Sequence, residues 1–284
     1  MKKADQPVDG VVTETARAKI NLTLHVTGRR ADGYHELDSL VVFADLGDQI
    51  SLRRAEYLRL TVTGPFSAGV PTDQTNLVLQ AAKAAGIVGA DITLEKNLPA
   101  AAGIGGGSSD AAALLRAAEK SHGVDLPSHD RILALGADVP MCVLARAAQI
   151  GGIGGQIDPV QGLPPLPAVL VNPGVAVHTA EVFYRLEGSF GHPMSPSPDT
   201  CDRGDFMVWL RNQRNDLQPP AMTLAPVIGE VLGALNAQHP ECARMSGSGA
   251  TCFGLFKTTR LAEDAAAAIS KVHPDWWVRA TVLR

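Results

Sequence analysis

The sequence predicts a globular protein of mixed helices and strands that is divided into two domains. A chain of 284 residues can bury a large core and is long enough for two modest domains. Segments that alternate apolar and polar residues, such as 18–26, are interleaved with alanine- and leucine-rich segments typical of helices. Glycine and proline are plentiful and aromatic residues make up 5% of the chain. This composition favours an ordinary α/β protein over a repeat or low-complexity chain.

Charge and hydropathy exclude two classes of partner. The formal net charge is −4 and no basic patch stands out, which argues against a nucleic-acid partner. Residues 1–7 contain two lysines with no apolar segment behind them, and no later run approaches the roughly 18 apolar residues of a membrane span. We therefore expect a soluble, cytoplasmic protein with no membrane partner; the sequence does not predict its oligomeric state.

The cysteines favour neither a zinc site nor a disulfide framework. Cys142, Cys201, Cys242 and Cys252 are far apart and form no Cys-x-x-Cys pair. We expect reduced and mostly buried thiols.

A glycine-rich segment between Leu98 and Leu115 is the most informative part of the chain. Its glycines, Gly103, Gly105, Gly106 and Gly107, permit positive φ and remove Cβ atoms that would block access to backbone N–H groups. We expect a helix from Ser108 to His122, capped by Ser108 or Ser109, with Asp110 in its first turn. Such a helix start suits a phosphate.

Two common phosphate loops do not fit this segment. A P-loop needs a lysine directly after its last glycine, where this chain has Ser108, and the Gly-x-Gly-x-x-Gly dinucleotide fingerprint is absent as well. The simpler alternative is a glycine turn packed against a neighbouring strand.

An alternating segment before the glycines carries a second candidate group. Residues 18–26 alternate as in a half-buried strand, so Lys19 and Asn21 project from the same face, which is a solvated polar face in the simplest interpretation. The Asp-Gly turn at 32–33 connects this strand to another over 37–43. Tyr34 and His35 follow the turn, where a tyrosine either covers the loop or stacks a base.

Asp138 is the third candidate. It precedes Val139 and Pro140 at the start of an apolar run, so it is either a helix N-cap or a positioned base.

The remaining elements follow from periodicity, capping and turn residues. Further strands are expected at 50–53, 58–63, 92–95, 168–172 and 276–283, and further helices at 75–85, 223–238 and 261–270. Glycines between Gln149 and Gln156 indicate a hairpin or bend. The proline-rich residues 163–167 are typical of a connection between domains, and residues 188–204 of a mobile surface loop. Phe183 lies at the start of a helix, where core packing is the default role.

Three separated motifs resemble those of the GHMP small-molecule kinases, the superfamily of galactokinase, homoserine kinase and mevalonate kinase. Residues 98–112 are similar to the ATP-binding motif, and residues 245–254 to the third motif. Residues 18–22 with 32–39, and 136–140 residue for residue, are similar to one family of the superfamily, the 4-diphosphocytidyl-2-C-methyl-D-erythritol kinases. Here Gly155 stands where that family usually has a glutamate, so residues 149–156 are given no role.

The resemblance implies an α+β, two-domain fold, with an N-terminal ATP-loop domain (1–160) and a smaller C-terminal α/β sandwich domain (161–284). It implies ATP and Mg²⁺ as cofactors, without naming magnesium ligands. The implied catalytic residues are Asp138, which accepts or orients the hydroxyl proton, and Lys19, which favours the ionised carboxylate and stabilises the transferring phosphoryl group. The implied ATP-binding residues are Pro99, Ala100, Ala101, Ala102, Gly103, Ile104, Gly105, Gly106, Gly107, Ser108 and Ser109.

The same resemblance implies that the substrate is a cytidine diphosphate-linked methylerythritol phosphorylated on its 2-hydroxyl. Its cytosine would stack between Tyr34 and Phe183 and hydrogen-bond His35, while Asn21 and Thr179 would place the rest of the molecule. Two alternatives stay open: a homoserine or mevalonate type of kinase, and a nucleotide-binding module without catalysis. The Tyr-His loop argues against the first, and the presence of both Lys19 and Asp138 against the second.

Overall fold

The computed structural model describes residues 10–186, 188, 190–198 and 202–284. Its strands are β1 (Val12–Asn21), β2 (His25–Arg29), β3 (His35–Arg54), β4 (Leu58–Thr63), β5 (Ala90–Glu95), β6 (Ala148–Gly152), β7 (Gln156–Pro159), β8 (Leu166–Asn172), β9 (Cys242–Met245), β10 (Cys252–Leu255) and β11 (Trp277–Leu283). Its helices are α1 (Leu77–Ala84), α2 (Gly106–His122), α3 (His129–Leu133), α4 (Val139–Leu144), α5 (Thr179–Tyr184), α6 (Arg203–Arg211), α7 (Gln218–Leu224), α8 (Val227–Asn236) and α9 (Thr259–Val272). Within these ranges, no helix combines the length and hydropathy needed to cross a bilayer.

The chain forms two compact units, each built from separate segments. The described residues of the first unit are 10–18, 46–100 and 105–145, and those of the second are 19–45, 101–104 and most of 146–284.

In the first unit a small sheet accompanies a layer of helices. The second half of β3 pairs antiparallel with β5, which pairs parallel with β4. Helix α2 packs against α1 and α4 through a run of small and branched side chains, Ala111–Leu115, that is fully buried. Gly123 ends α2 in the left-handed region at φ +63°, and its N–H bonds Glu119 O.

In the second unit β8 lies between β11 and β10 in an antiparallel arrangement, and β9 pairs with the far side of β10. The first half of β3 pairs with β2 and β6, and β6 forms a hairpin with β7. Helices α8 and α9 bury their apolar faces in a core that includes Val169, Val171 and Phe256. The predicted hairpin over residues 149–156 is confirmed.

Three element predictions are wrong for identifiable reasons. The strand expected over 18–26 breaks at 22–24, because Leu24 N donates to Arg214 O and Ser39 Oγ donates to Thr23 O. The strands expected at 37–43 and 50–53 are one strand, β3. The helix expected over 223–238 breaks before Pro226, because a proline disfavours helical backbone at the residue before it; Ala225 has φ −135° and ψ 84°.

The three cysteines that the structure describes, Cys142, Cys242 and Cys252, are buried thiols, as expected. Burial raises the pKa of the Cys242 thiol above its ordinary value. Cys201 lies outside the described residues.

Candidate active site

The first half of the glycine segment is fixed within the second unit by hydrogen bonds to its backbone carbonyl groups. Ala102 O accepts from Thr251 N at 3.2 Å, Ile104 O accepts from Lys19 N at 2.9 Å, and Gly103 O accepts from Ser246 Oγ at 3.2 Å. Gly103 has φ +71°, and a Cβ there would lie 2.6 Å from Gly249 O. Only glycine fits this position, because both the backbone conformation and the close approach exclude a side chain.

The second half of the segment, in the first unit, opens α2. Gly105 is the N-cap residue at φ +66°, and no side chain caps the helix. The N–H groups of Gly106, Gly107 and Ser108 have no acceptor within the helix, as at any helix start. A Cβ at Gly107 would meet nothing within 4 Å, so this helix start is open. An uncapped, open helix start fits an anion such as a phosphate.

The expected caps are therefore wrong. Ser108 and Ser109 lie inside the first turn because the helix begins two residues earlier than predicted, at Gly106. The Ser109 hydroxyl is buried and donates to Cys142 Sγ at 3.3 Å. Asp110 consequently lies beyond the first turn, where it does not act as a cap.

Lys19 and Asn21 share a face of β1, as the alternation predicts, but that face is buried. The exposed fractions of Lys19, Asn21, Thr23 and His25 are 7%, 5%, 0% and 2%. The Lys19 ammonium donates to Asn21 Oδ1 at 3.1 Å, and Asn21 Nδ2 donates to Ser39 Oγ at 2.8 Å. This face is therefore a packed polar site and not a solvated strand surface.

Asp138 occupies the N-cap position of α4 but does not cap the helix through its side chain. Its backbone is in the right-handed helical region, and the residue is half-buried. Gly136, two residues earlier, has φ +156°. Asp138 therefore stands at the N-cap position, as one interpretation predicts, but its carboxylate does not accept a hydrogen bond from the first turn of the helix.

Aromatic side chains cluster in the second unit beside the turn that ends β2. The His35 ring stacks on Phe183 with a centroid separation of 4.8 Å and an interplanar angle of 24°, and Phe190 meets its edge at 6.0 Å. Tyr34 is 64% exposed. Burial, with the Arg29 charge, lowers the pKa of His35, so its ring is neutral at pH 7. Thr179 Oγ1 lies 2.7 Å from Ser248 Oγ.

Part of the predicted surface loop, the strap formed by residues 190–195, is hydrogen-bonded to β2 and β3. Gly191 N donates to Val26 O at 3.1 Å, and Met194 N donates to Asp38 Oδ2 at 2.8 Å. His25 Nδ1 lies 3.1 Å from His192 O, while its Nε2 accepts from Arg214 N at 3.2 Å. The strap thus has defined hydrogen bonds although it has no regular secondary structure.

A buried ionic cluster in the first unit was missed by sequence reasoning. The Lys96 ammonium bonds the carboxylates of both Asp48 and Asp110, and all three side chains are almost fully buried. Burial alone would lower the Lys96 pKa, but Asp110 and Asp48 raise it above its ordinary value. The one signal in the sequence is that Lys96 lies two residues before the glycine segment.

The part of the chain that the structure describes contains no group of three His, Cys, Asp or Glu side chains that could hold a metal. Magnesium keeps several waters and is commonly bound by substrate phosphates with one or two carboxylates. A magnesium ion at this site would therefore be held mainly through the phosphates of a nucleotide.

Comparisons with known proteins agree with this geometry. Residues 76–153 match the family model "GHMP kinases N terminal domain", and residues 202–275 match "GHMP kinases C terminal". The 4-diphosphocytidyl-2-C-methyl-D-erythritol kinase of Dinoroseobacter shibae is 58% identical over 272 residues, which are 95% of this chain and 94% of the relative.

Solved structures give the same result. A crystal structure of 4-(cytidine 5'-diphospho)-2C-methyl-D-erythritol kinase is 34% identical with a TM-score of 0.79, over 96% of this chain and 99% of that one. A homoserine kinase from Cytophaga hutchinsonii shares the fold, at 18% identity and a TM-score of 0.69 over 98% of this chain and 96% of that one. The predicted two-domain α+β fold is confirmed, and the chain belongs to the 4-diphosphocytidyl-2-C-methyl-D-erythritol kinase family of the GHMP kinases.

Proposed function

We propose that this chain transfers the γ-phosphoryl group of ATP to the 2-hydroxyl of 4-diphosphocytidyl-2-C-methyl-D-erythritol, a step of the non-mevalonate route to isoprenoid precursors. The observation that carries the nucleotide part is the open, uncapped start of α2 at Gly105–Gly107. The identity of the acceptor is supported by the related proteins, which are named as kinases of that substrate. The substrates are small soluble molecules, and we place the reaction in the cytoplasm.

In this proposal residues 99–109 bind the triphosphate. The N–H groups of Gly106, Gly107 and Ser108 point at the phosphates, and the positive end of the α2 dipole adds to the attraction. Gly103 and its partners in residues 246–251 hold the beginning of the segment in place. Magnesium, held through the bound phosphates, supplies the positive charge that offsets theirs. Residues 1–160 form the ATP-loop domain, and residues 161–284 the second domain.

Asp138 and Lys19 carry the chemistry in the proposal. Asp138 accepts the proton of the 2-hydroxyl as the oxygen attacks, and the Lys19 ammonium stabilises negative charge on the transferring group. Since phosphoryl transfer passes through a loose transition state, alignment of the hydroxyl contributes more than the basicity of the carboxylate. The hydrogen bond from Lys19 to Asn21 supports this assignment, because it fixes a buried cation.

The cytidine part of the substrate is assigned to the aromatic cluster. Phe183, on which His35 stacks, contributes an aromatic surface to the base site, and Tyr34 projects from the turn as a second stacking surface. A neutral His35 has one donor and one acceptor nitrogen for the cytosine edge. Asn21 and Thr179 help to place the rest of the substrate.

The test is ADP release from Mg-ATP with three acceptors: 4-diphosphocytidyl-2-C-methyl-D-erythritol, homoserine and mevalonate. We expect turnover with the first acceptor alone, and its loss in Asp138→Asn. Turnover with homoserine or mevalonate would instead support one of the other kinase types. ATP binding without turnover on any acceptor would support a non-catalytic module.

A further inference from the structure

The cluster of Asp48, Lys96 and Asp110 joins the two ends of the glycine segment within the first unit. Asp48 Oδ1 accepts hydrogen bonds from the N–H groups of Asn97 and Leu98, at 2.5 and 2.8 Å, where the chain leads into the segment. Asp48 Oδ2 accepts from the Lys96 ammonium. The same ammonium donates to Asp110 Oδ2 on α2 at 2.7 Å. A single buried network therefore connects the beginning of the segment to the helix that follows it.

This network lies directly behind the proposed phosphate site. The Lys96 Nζ atom is 3.6 Å from the point where a Cβ on Gly106 would sit. Asp110 lies one helical turn after Gly106 on α2. The charge of the cluster therefore acts on the N–H groups at the helix start over a short distance.

The charges in the cluster do not balance. One ammonium faces two carboxylates, so the cluster carries one net negative charge when both carboxylates are ionised. Asp110 Oδ1 is buried and has no hydrogen-bond partner among the described residues. The second carboxylate is thus incompletely stabilised, since a buried charge needs partners for its oxygens.

The groups that face Asp110 explain its state. Asp48 approaches from β3 and Lys96 from the residue after β5, while the neighbouring turn of α4 presents the thiol of Cys142 to Ser109. Burial, opposed by Lys96 and reinforced by Asp48, raises the pKa of Asp110 to about 7. Asp110 therefore exchanges its proton in the physiological range.

We infer that Asp48, Lys96 and Asp110 position the glycine segment for the nucleotide, and that Asp110 takes up a proton from solvent when the triphosphate binds. The inference rests on the proposed function, since it requires phosphates at the start of α2. Negative phosphates close to an unbalanced anionic cluster disfavour the second buried carboxylate, and the protonated acid removes the net charge. The three residues are positioning residues, because they act through the backbone that holds the ligand.

Calorimetric titration of the purified protein with Mg-ATP tests whether Asp110 takes up a proton. The titration is repeated in several buffers that have the same pH, near 7, and different ionisation enthalpies. The dependence of the observed enthalpy on the buffer gives the number of protons taken up. We expect about half a proton more for the wild-type protein than for Asp110→Asn, since a group with a pKa near the working pH is half protonated beforehand. Asp110→Asn keeps the size and shape of the side chain, so we expect this variant to fold and to bind ATP, which allows its proton count to be compared with that of the wild-type protein. Asp130→Asn, an exposed acid of α3, serves as the matched control and should keep the wild-type proton count.

The positioning role has its own readout. Asp48→Asn weakens the acceptor of two N–H groups and the bond to Lys96, so KM for ATP should rise about tenfold or more while KM for the acceptor alcohol stays nearly constant. If thermal unfolding shows that Asp48→Asn does not fold, Asp110→Asn carries the test alone. Equal proton counts for the wild-type protein and Asp110→Asn, with ATP bound by both, would overturn the inference. Failure of the wild-type protein to bind ATP would overturn the nucleotide assignment and the inference together.

Discussion

The Lys19 ammonium donates a hydrogen bond to Asn21 Oδ1 across 3.1 Å on a strand face where both side chains are buried. Asn21 is held in turn by Ser39 Oγ, which accepts from its amide, and by Ser246 Oγ, which accepts from its backbone N–H at 3.1 Å. The Asn21 amide, itself fixed on two sides, therefore helps to set the direction of the ammonium.

Asn21→Ala should lower kcat more than it changes KM for ATP. Loss of the acceptor leaves Lys19 less well oriented, and a hydrogen bond to a charged group contributes about 1.5–3 kcal/mol, so kcat should fall about tenfold to a hundredfold. Steady-state kinetics measure this, with Thr13→Ala, an exposed threonine of the same strand, as the control. An unchanged kcat would show that Asn21 does not orient Lys19 for the reaction.

Gly107→Ala should leave the fold intact and weaken ATP binding. The added Cβ meets nothing within 4 Å in the protein, and alanine favours the helix by about 1 kcal/mol. In the proposal, however, that space belongs to the phosphates, so KM for ATP should rise about tenfold or more. Thermal unfolding and ATP titration give the two quantities. The control is Gly233→Ala in α8, which also meets nothing within 4 Å and should leave KM for ATP unchanged. Wild-type ATP affinity in Gly107→Ala would place the phosphates elsewhere.

Tyr34→Ala should raise KM for the cytidine substrate more than it lowers kcat. Stacking on a base contributes about 1–3 kcal/mol and is nearly the same in the ground and transition states, which predicts a rise in KM of about fivefold or more. Because Tyr34 is 64% exposed, stability should not change. Tyr184→Ala is the matched control, since Tyr184 is 89% exposed and neighbours Phe183. Equal losses in kcat and in kcat/KM for Tyr34→Ala would contradict the stacking role.

Acid should destabilise the fold through His25, whose ring nitrogens contact His192 O and Arg214 N. Burial, with the nearby Arg214 charge, lowers the pKa of His25 below its ordinary value. Below about pH 6.5 the unfolded state therefore binds more protons than the folded state, and the free energy of unfolding falls as the pH falls; above that pH the contribution is constant. Protonation of Nε2 also removes the acceptor of Arg214 N–H.

His25→Gln tests this prediction because glutamine keeps one donor and one acceptor without titrating in this range. Thermal unfolding should be followed from about pH 7.5 to about pH 5.5. Tm should fall with acidification in the wild-type protein, and the fall should be smaller in His25→Gln. Parallel curves for the two proteins would exclude His25 as the titrating group.

The sequence predicted the elements whose signals are local. Period-two alternation placed Lys19 and Asn21 on one face of β1, and glycine punctuation placed α2 and the β6–β7 hairpin. The break at residues 22–24 was not predictable, because it depends on bonds to Arg214, about 190 residues away. The helix break before Pro226 was available from the sequence, since a proline within a helical pattern is a stop signal.

The residues of the candidate site also fall into those that the sequence indicates and those that only the structure brings together. Gly103–Gly107, Tyr34, His35 and Asp138 stood in recognisable motifs, and their catalytic and binding roles stay predictions. Lys96 and Asp110 are 14 residues apart and Asp48 lies 48 residues before Lys96, and no spacing rule connects the three charges. Burial of the polar face of β1 was missed for a similar reason, since alternation predicts which side chains share a face but not what covers that face.

Proton-coupled ³¹P NMR of the product shows which oxygen receives the phosphoryl group. Carbon 2 of a 2-C-methylerythritol bears the methyl group and no hydrogen, so a phosphate on the 2-hydroxyl has no three-bond coupling to a proton. With Mg-ATP and 4-diphosphocytidyl-2-C-methyl-D-erythritol, we expect a new phosphomonoester singlet together with the signals of ADP, and no new signal with Asp138→Asn. A new phosphomonoester signal split by neighbouring protons, or ATP left unconsumed by the wild-type protein, would contradict the proposed function.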